Sequence, residues 1–542
     1  MTASIRPRAD ESQGEELRSP ISADRRWNRE PREAGILATI LIATAVVYLP
    51  SIRYDWVWDD KAQTVQAHAL HSWSGIGKSF LYDSWWFRDP TSLPQSQYYR
   101  PLQVSWFGLN YMMLGNHPGA WHLEKIIIEL IGVVVCFRLA QLLTRNTSIA
   151  LLTAGIFAML PANLEAVVWN SAIGEPMSAI LEMGALCCLI TRKEGSIRSL
   201  APALLLYAGA LLSHETAIVF WLVVGAYLVL IEKRSARETF RLAAPFMVLA
   251  LLYLCARMNA LGMANFIGRA SFVHPGVALG WEKPAPPHGL LDIMMTAPVA
   301  LLYYLGVLAL PWMAGPAHSL EWVTAASPIT FVAAGILLLL AAVAVVLIRR
   351  SRDWRLYAFC AAWSLITLAL AMNLKELAML VQDRVLYAPS FGWSLAFAIA
   401  AMRLASLSSH ARILVAGAMA LLLVANAVAI ERTERYWQDD ETFFTRCVAI
   451  APRHAGYLRG LVEMLNYKGD FEGAMNALRT AVNLEPDNLY FRTKLAEQYG
   501  LMRRPEDFTA EVLKIRELRS AASRANAAAA RQRAPTAVPS PQ

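Results

Sequence analysis

The sequence predicts an all-α protein: a polytopic membrane bundle of about 11 spans followed by a short soluble helical region. Three observations carry this reading. The 542 residues are 56% hydrophobic and only 17% charged, with a mean hydropathy of +0.36, too apolar for a soluble chain of this length. Apolar runs of the roughly 20 residues needed to cross a bilayer recur from residue 34 to residue 430. Beyond residue 430 the chain turns charged and keeps a helical pattern.

Segment 1–33 is polar with mixed charges and has no short apolar core with a cleavage site, so the first span, 34–51, is expected to be an uncleaved anchor. Further spans are expected at 121–144, 148–165, 172–190, 200–213, 215–231, 241–261, 329–348, 355–372, 385–403 and 411–430. Basic clusters at Arg25/Arg26, Arg138/Arg145, Arg192/Lys193/Arg198, Lys233/Arg234/Arg237, Arg349/Arg350/Arg352/Arg355 and Arg403/Arg412 fall on one face if segment 291–312 does not cross. The positive-inside rule makes that face cytoplasmic. Segment 291–312 is therefore expected to be re-entrant or interfacial. The odd span count leaves the exoplasmic face with loop 52–120, the turns at 165–172 and 213–215, segments 262–328 and 373–384, and everything after 430.

Several function classes are disfavoured. The net charge of +8 comes from arginine more than lysine and is accounted for by basic loops flanking spans, so no nucleic-acid partner is implied. Cys136, Cys187, Cys188, Cys255, Cys360 and Cys447 lie mostly in apolar runs, with neither a CxxC nor a zinc-like spacing. No cofactor or metal centre is implied. A transporter would show duplicated halves and paired broken helices, and neither is present.

Two stretches remain informative. YDWVWDD, residues 54–60, follows the first span and places Asp55, Asp59 and Asp60 among tryptophans at the headgroup level, at the start of an exoplasmic loop rich in Trp and Tyr. Residues 455–488 fit the tetratricopeptide repeat of about 34 residues, with Ala474, Ala481 and Pro486 at the small and terminal-proline places and Gly469 at the turn. Pro452 lies one period earlier, so the repeat region is set at 431–519 and residues 520–542 form a disordered tail without periodicity. A stack this short buries little core alone and is expected to dock on the membrane body, as a surface for a peptide or as a cap.

VWDDKAQTV (57–65), YYRPLQVSWFGLNYMMLGNHPGAWHL (98–123), FAMLPANLEAVVW (157–169), LLSHETAIVF (211–220), QDRVLYAPSFG (382–392) and ERTERYWQDDETFF (431–444), in this order and joined to repeats, resemble one family. It is the TMTC (transmembrane and tetratricopeptide repeat-containing) O-mannosyltransferases of the GT-C superfamily. The resemblance covers nearly the whole chain after residue 34 and implies a GT-C-like membrane domain over 34–430. It implies a transferase that moves a sugar from a polyprenyl phosphate to an acceptor at the exoplasmic face, with the base in the acidic pair. Asp59 and Asp60 occupy that place, Asp59 being the first choice.

Such a donor carries its own leaving group, so an inverting transferase needs a base for the acceptor hydroxyl and cations for the departing phosphate. Arg100 and Arg384 are expected as a phosphate clamp, because the guanidinium fork binds two oxygens at once. Tyr387 and His122 are expected as hydrogen-bond donors to the phosphate. Glu165, His214, Glu215, Asp383 and Tyr99 are expected to line the site. Trp85 and Trp86 are expected as belt anchors, and Glu182, in mid-span, must face the bundle interior or a wet cavity. The chain departs from the family pattern at Leu160 and Asn163, where histidines are usual, at Lys125, where an Asn is usual, and at His214, where a Lys is usual.

The attached repeats favour a protein Ser/Thr acceptor over a lipid or glycan. The Ala-rich, Arg-over-Lys composition points to a bacterial inner membrane with the site and repeats facing the periplasm, the eukaryotic equivalent being the lumen of the endoplasmic reticulum. The alternative is a non-catalytic membrane anchor presenting tetratricopeptide units to an envelope-assembly complex.

Overall fold

The computed structural model describes residues 31–89, 91, 94–193, 197–263, 289–323, 327–372 and 379–533. Most of segments 1–33 and 262–288 therefore lies outside the described residues, as does the end of the tail beyond 533. Among the described residues every regular element is helical. Among the described residues nine helices are long and apolar enough to cross a membrane, ten if a bent pair is one span. The protein is an integral membrane protein of the all-α class.

The span pattern differs from the expected one in three places. The segment expected to be re-entrant or interfacial is an unbroken apolar helix, Leu290–Ala309, long enough to cross. A re-entrant loop needs a break in the backbone ladder, and Pro298 does not make one here. Runs 200–213 and 215–231 become short helices, Ala201–Ser213 and Phe220–Leu230, joined by a tight 3-10 turn. At about 1.5 Å per residue each falls short of a hydrocarbon core of about 30 Å. Expected span 148–165 is the bent pair, Thr147–Ala158 and Pro161–Val168, meeting at 56°. Pro161 lacks the N–H that would continue the first helix, so the chain swings across one end of the bundle and carries Glu165 to Ser171 with it.

That end is where the functional residues gather. Helix α1 (Pro31–Tyr48) runs up to it, α2 (Asp59–Gln63) lies on it, α3 (Gly174–Ile190) runs down from it, and α4 (Tyr387–Ala405) starts there behind a 3-10 turn at Asp383–Leu386. The long spans containing α3 and α4 are the innermost, each 61% buried, whereas Pro328–Arg350 is only 6% buried and presents Leu338, Leu339 and Leu347 outward. An apolar helix so uncovered is what lipid contact requires. At the opposite end Arg192 pairs with Glu232, as does Arg234, and Arg403 pairs with Asp353.

The chain returns to the site end at Trp437 and continues as α5 (Asp440–Ile450), α6 (Ala455–Lys468), α7 (Phe471–Leu484) and α8 (Leu489–Leu501). Asp439 caps α5 by accepting from the Thr442 N–H at 2.8 Å, and Gly469 at φ +81° ends α6, a backbone only glycine takes without strain. Trp437, Phe443, Phe444, Cys447 and Tyr457 belong to the same apolar core as the bundle, so these helices dock on it. The docking is close: at Gly460 any Cβ would meet the Phe444 ring at 2.1 Å. The last helix, Pro505–Arg533, continues well into the stretch expected to be a disordered tail. Its run of alanines and arginines has high helix propensity, which the lack of apolar periodicity concealed.

Candidate functional site

The site is built around the turn that opens loop 52–120. Asp60 is buried and consumed by hydrogen bonds: Oδ1 accepts from the Ser171 N–H at 2.8 Å and its hydroxyl at 2.5 Å, and Oδ2 from the Val57 N–H at 3.2 Å. Asn170 Nδ2 adds a longer contact at 3.5 Å. Burial still pushes its carboxyl up to about 7, against the opposing effect of the Ser171 hydroxyl. Asp59 is half-buried, and its carboxylate accepts no hydrogen bond from the described residues. Burial pushes it up to about 6, while Arg384, Arg88 and Arg459 pull it down. Two adjacent carboxylates thus differ in kind. One fastens the turn to the bundle; the other keeps its oxygens unbonded among the described residues.

Trp58, between Val57 and Asp59, sits at φ +54° and ψ −112°. A bulky residue in such a conformation costs about 1–3 kcal/mol and persists only where its surroundings over-determine it. Its N–H donates to Asp440 Oδ1 at 2.7 Å, a charge-assisted bond of about 1.5–3 kcal/mol. Its ring stacks on Trp169 at 5.5 Å and 14°, and packs on Phe443 and Tyr457. Each such contact adds about 0.5–1.5 kcal/mol. These terms offset the strain. Trp169 also carries the Arg384 guanidinium, 4.9 Å from its ring centroid, and its Nε1–H donates to the Val57 carbonyl at 3.2 Å.

Arg384 is held by two carboxylates: Glu165 accepts from Nη1 and, at 3.1 Å, from the backbone N–H, and Glu175 accepts from Nε at 3.0 Å. Its Nη2 edge meets no acceptor among the described residues. Arg100 makes a bidentate pair with Glu215, at 2.6 and 2.7 Å, and packs on the Tyr98 ring at 4.6 Å. Burial opposes its charge, but Glu215 more than compensates and its pKa is raised. His214 Nε2 lies 3.4 Å from Glu175. Arg100, Arg384, Glu165, Glu175, His214 and Glu215 therefore form one cluster of two guanidiniums against three carboxylates. Beside it a narrow cleft, partly open to solvent, is lined by Glu175, Ser178, Glu182, Thr216, Thr367 and Arg384. Glu182 Oε2 has no partner among the described residues.

The remaining sequence candidates lie elsewhere. Tyr387 is buried and donates to Glu129 Oε2 at 2.6 Å, packing on Phe157 inside the bundle. His122 is buried behind the turn, 3.5 Å from Asn170 and edge-on to Tyr54. Neither lies in position to donate to a phosphate beside Asp59. Asp383 accepts from the Gly315 N–H and lies 2.8 Å from His318 Nε2, so it fastens segment 314–318 to the bundle. Tyr99 is buried, its hydroxyl donating to the Phe80 carbonyl at 2.8 Å. Both clamp arginines are occupied by carboxylates rather than free. The expectation of a free phosphate clamp missed that Glu165, Glu175 and Glu215 reach the two arginines from three other segments, Glu165 and Glu215 having been expected only to line the site. Ser171, Glu175, Trp169 and Asp440 were missed altogether. Glu175, buried in the first turn of an apolar helix, was the one the sequence signalled, by the cost of a lone carboxylate there.

No protein-family model matches the chain. A protein O-mannosyl-transferase of Caenorhabditis elegans is 21% identical over 473 residues, covering 85% of this chain and 65% of that protein. The protein O-mannosyl-transferase Tmtc3 of Drosophila melanogaster is 22% identical over 86% of this chain and 57% of its own length, and human TMTC3 is 27% identical over 165 residues. The chain is TMTC-like. It spans 65% and 57% of the length of the Caenorhabditis elegans and Drosophila melanogaster relatives, so those proteins carry further sequence of their own. Among solved structures, ArnT from Cupriavidus metallidurans bound to undecaprenyl phosphate aligns with 86% of this TMTC-like chain and 79% of its own, at 13% identity and a TM-score of 0.42.

Proposed function

We propose that this protein is a GT-C-type glycosyltransferase of the membrane. It transfers a sugar, mannose by the names of its relatives, from a polyprenyl phosphate to a protein Ser/Thr hydroxyl at the exoplasmic face. The observation that carries this reading is the contrast between Asp60, fully bonded, and Asp59, unbonded, half-buried and beside Arg384. Asp59 takes the acceptor hydroxyl proton as the oxygen attacks the anomeric carbon. The bond from that carbon to the phosphate oxygen breaks, the electron pair leaves with the polyprenyl phosphate, and the configuration inverts. Arg384, aimed by Glu165 and Glu175, turns its Nη2 edge to the departing oxygens. The gathering of basic residues at the other end of the bundle supports an exoplasmic site. In a bacterium that is the periplasmic side of the inner membrane, with the C-terminal helices beside the acceptor.

The test is transfer from radiolabelled polyprenyl-phosphate mannose to a Ser/Thr-rich peptide by the full chain in detergent micelles. Asp59→Asn is expected to lower the rate by about 10²–10⁴-fold with an unchanged thermal midpoint. An Asn variant that transfers at the wild-type rate removes the base. A chain that never transfers, yet loses its cellular role when the surface of α6 to α8 is altered, is the scaffold instead.

A further inference from the structure

The turn that carries Asp59 is completed from outside the bundle. Asp440, in the first turn of α5, reaches it with both carboxylate oxygens: Oδ1 accepts from the Trp58 N–H at 2.7 Å and Oδ2 lies 3.3 Å from Lys61 Nζ. The neighbouring backbone is joined too, the Asp55 N–H donating to the Gln438 carbonyl at 2.9 Å. Asp440 is not needed to cap its own helix, because Asp439 already accepts from the Thr442 N–H. Its carboxylate is spent on the turn. Without it, the positive φ of Trp58 loses its polar anchor. Relaxation to negative φ would rotate the Trp58–Asp59 peptide and swing the Asp59 side chain away from Arg384.

We infer that Asp440 is a positioning residue for transfer, holding the Trp58 N–H so that the strained turn aims Asp59 at the acceptor hydroxyl, and that the C-terminal region is thereby part of the catalytic apparatus. This rests on the reading of Asp59 as the base. The charged groups facing Asp59 are Arg88 from its own loop, Arg384 from α4, Arg459 from α6 and the adjacent Asp60. Among the described residues the Asp440 side chain meets Trp58 and Lys61 on the turn, and none of the three arginines is bonded to it. The turn is what moves.

The full chain in detergent micelles is assayed with radiolabelled polyprenyl-phosphate mannose and a Ser/Thr-rich peptide, as wild type, Asp440→Ala, Asp440→Asn and Asp59→Asn. Asp440→Ala is expected to lower kcat about 10–100-fold, with KM for the lipid donor changed less than about threefold. The acidic limb of its kcat profile moves to lower pH, as Asp59 turns toward water. Asp440→Asn keeps an oxygen for the Trp58 N–H and holds kcat within about threefold with the wild-type limb. A purely structural role would lower the thermal midpoint of the alanine variant without moving that limb. Wild-type kcat and limb in Asp440→Ala, where Asp59→Asn is inactive, overturn the inference and leave the base in place. Activity in Asp59→Asn overturns the base and the inference with it. Should Asp440→Ala not be recovered folded, Asp440→Asn decides: a loss beyond about tenfold at an unchanged thermal midpoint overturns the inference.

Discussion

The bundle and the C-terminal helices grip the same short turn with different chemistry. From the bundle come buried neutral donors, the Ser171 N–H and hydroxyl, all ending on Asp60, together with the Trp169 indole on the Val57 carbonyl. From the C-terminal helices come a half-exposed carboxylate, Asp440, and an aromatic wall of Phe443 and Tyr457 around Trp58. The first grip is dry and rigid; the second is charged and partly wetted. Asp59 sits at the seam, bonded by neither. A general base has to be held in direction while its oxygens stay available, and two opposing grips on the flanking residues achieve that.

Breaking the bundle-side grip has the largest expected effect. Asp60→Ala leaves the Ser171 and Val57 donors buried without an acceptor, at about 1–3 kcal/mol each. The thermal midpoint in detergent should fall by several degrees and transfer should be lost. Next is Arg384→Lys, which keeps the charge but loses the planar stack on Trp169 and the forked contact with Glu165 and Glu175. A drop in kcat/KM of about 10–100-fold is expected by steady-state kinetics.

A pH series reads the seam. As the proposed base Asp59 has to be ionised, and burial raises it to about 6, so kcat should fall about tenfold per pH unit below that value. Stability should move the other way. Both Asp59 and Asp60 titrate in the folded protein above the ordinary aspartate value of 3.8, so the folded state binds their protons more tightly than the unfolded chain does. Their contribution to stability is fully present below that ordinary value and is lost as pH rises through about 6 to 7. Thermal midpoints measured from pH 8 to pH 4 should therefore rise on these groups' account while turnover falls. The smallest effect sharpens the comparison by contrast: Tyr387→Phe removes a bond to Glu129 inside the bundle, away from the turn. It should lower the thermal midpoint slightly and leave kcat within about threefold.

The fold class was legible because lipid imposes a long apolar run on any helix that crosses it, and those runs stand in the sequence unaided. The bend at Pro161 and the unbroken helix at 290–309 were not, since hydropathy reports length and not curvature or direction. For the site, the aspartate pair and Arg384 could be picked out from residue type and position near a span end. What each carboxylate does could not. Asp59 and Asp60 are equivalent in sequence and are separated only by Ser171, 111 positions away from Asp60. Glu165 and Glu215 could be placed at the site, but their pairing with the two arginines, and Glu175 altogether, emerge only when the fold brings them together. Tyr387 and His122 were misplaced for the same reason: an interfacial position in the sequence does not tell which way a helix turns its face.

The bond from Trp58 to Asp440 joins positions 382 apart in the sequence. At synthesis rates of about 5–20 residues per second, the Asp59 turn is made on the order of 20–80 s before the residue that clasps it leaves the ribosome. Under the proposed function, the order of translation would leave transfer unarmed until α5 folds onto the turn.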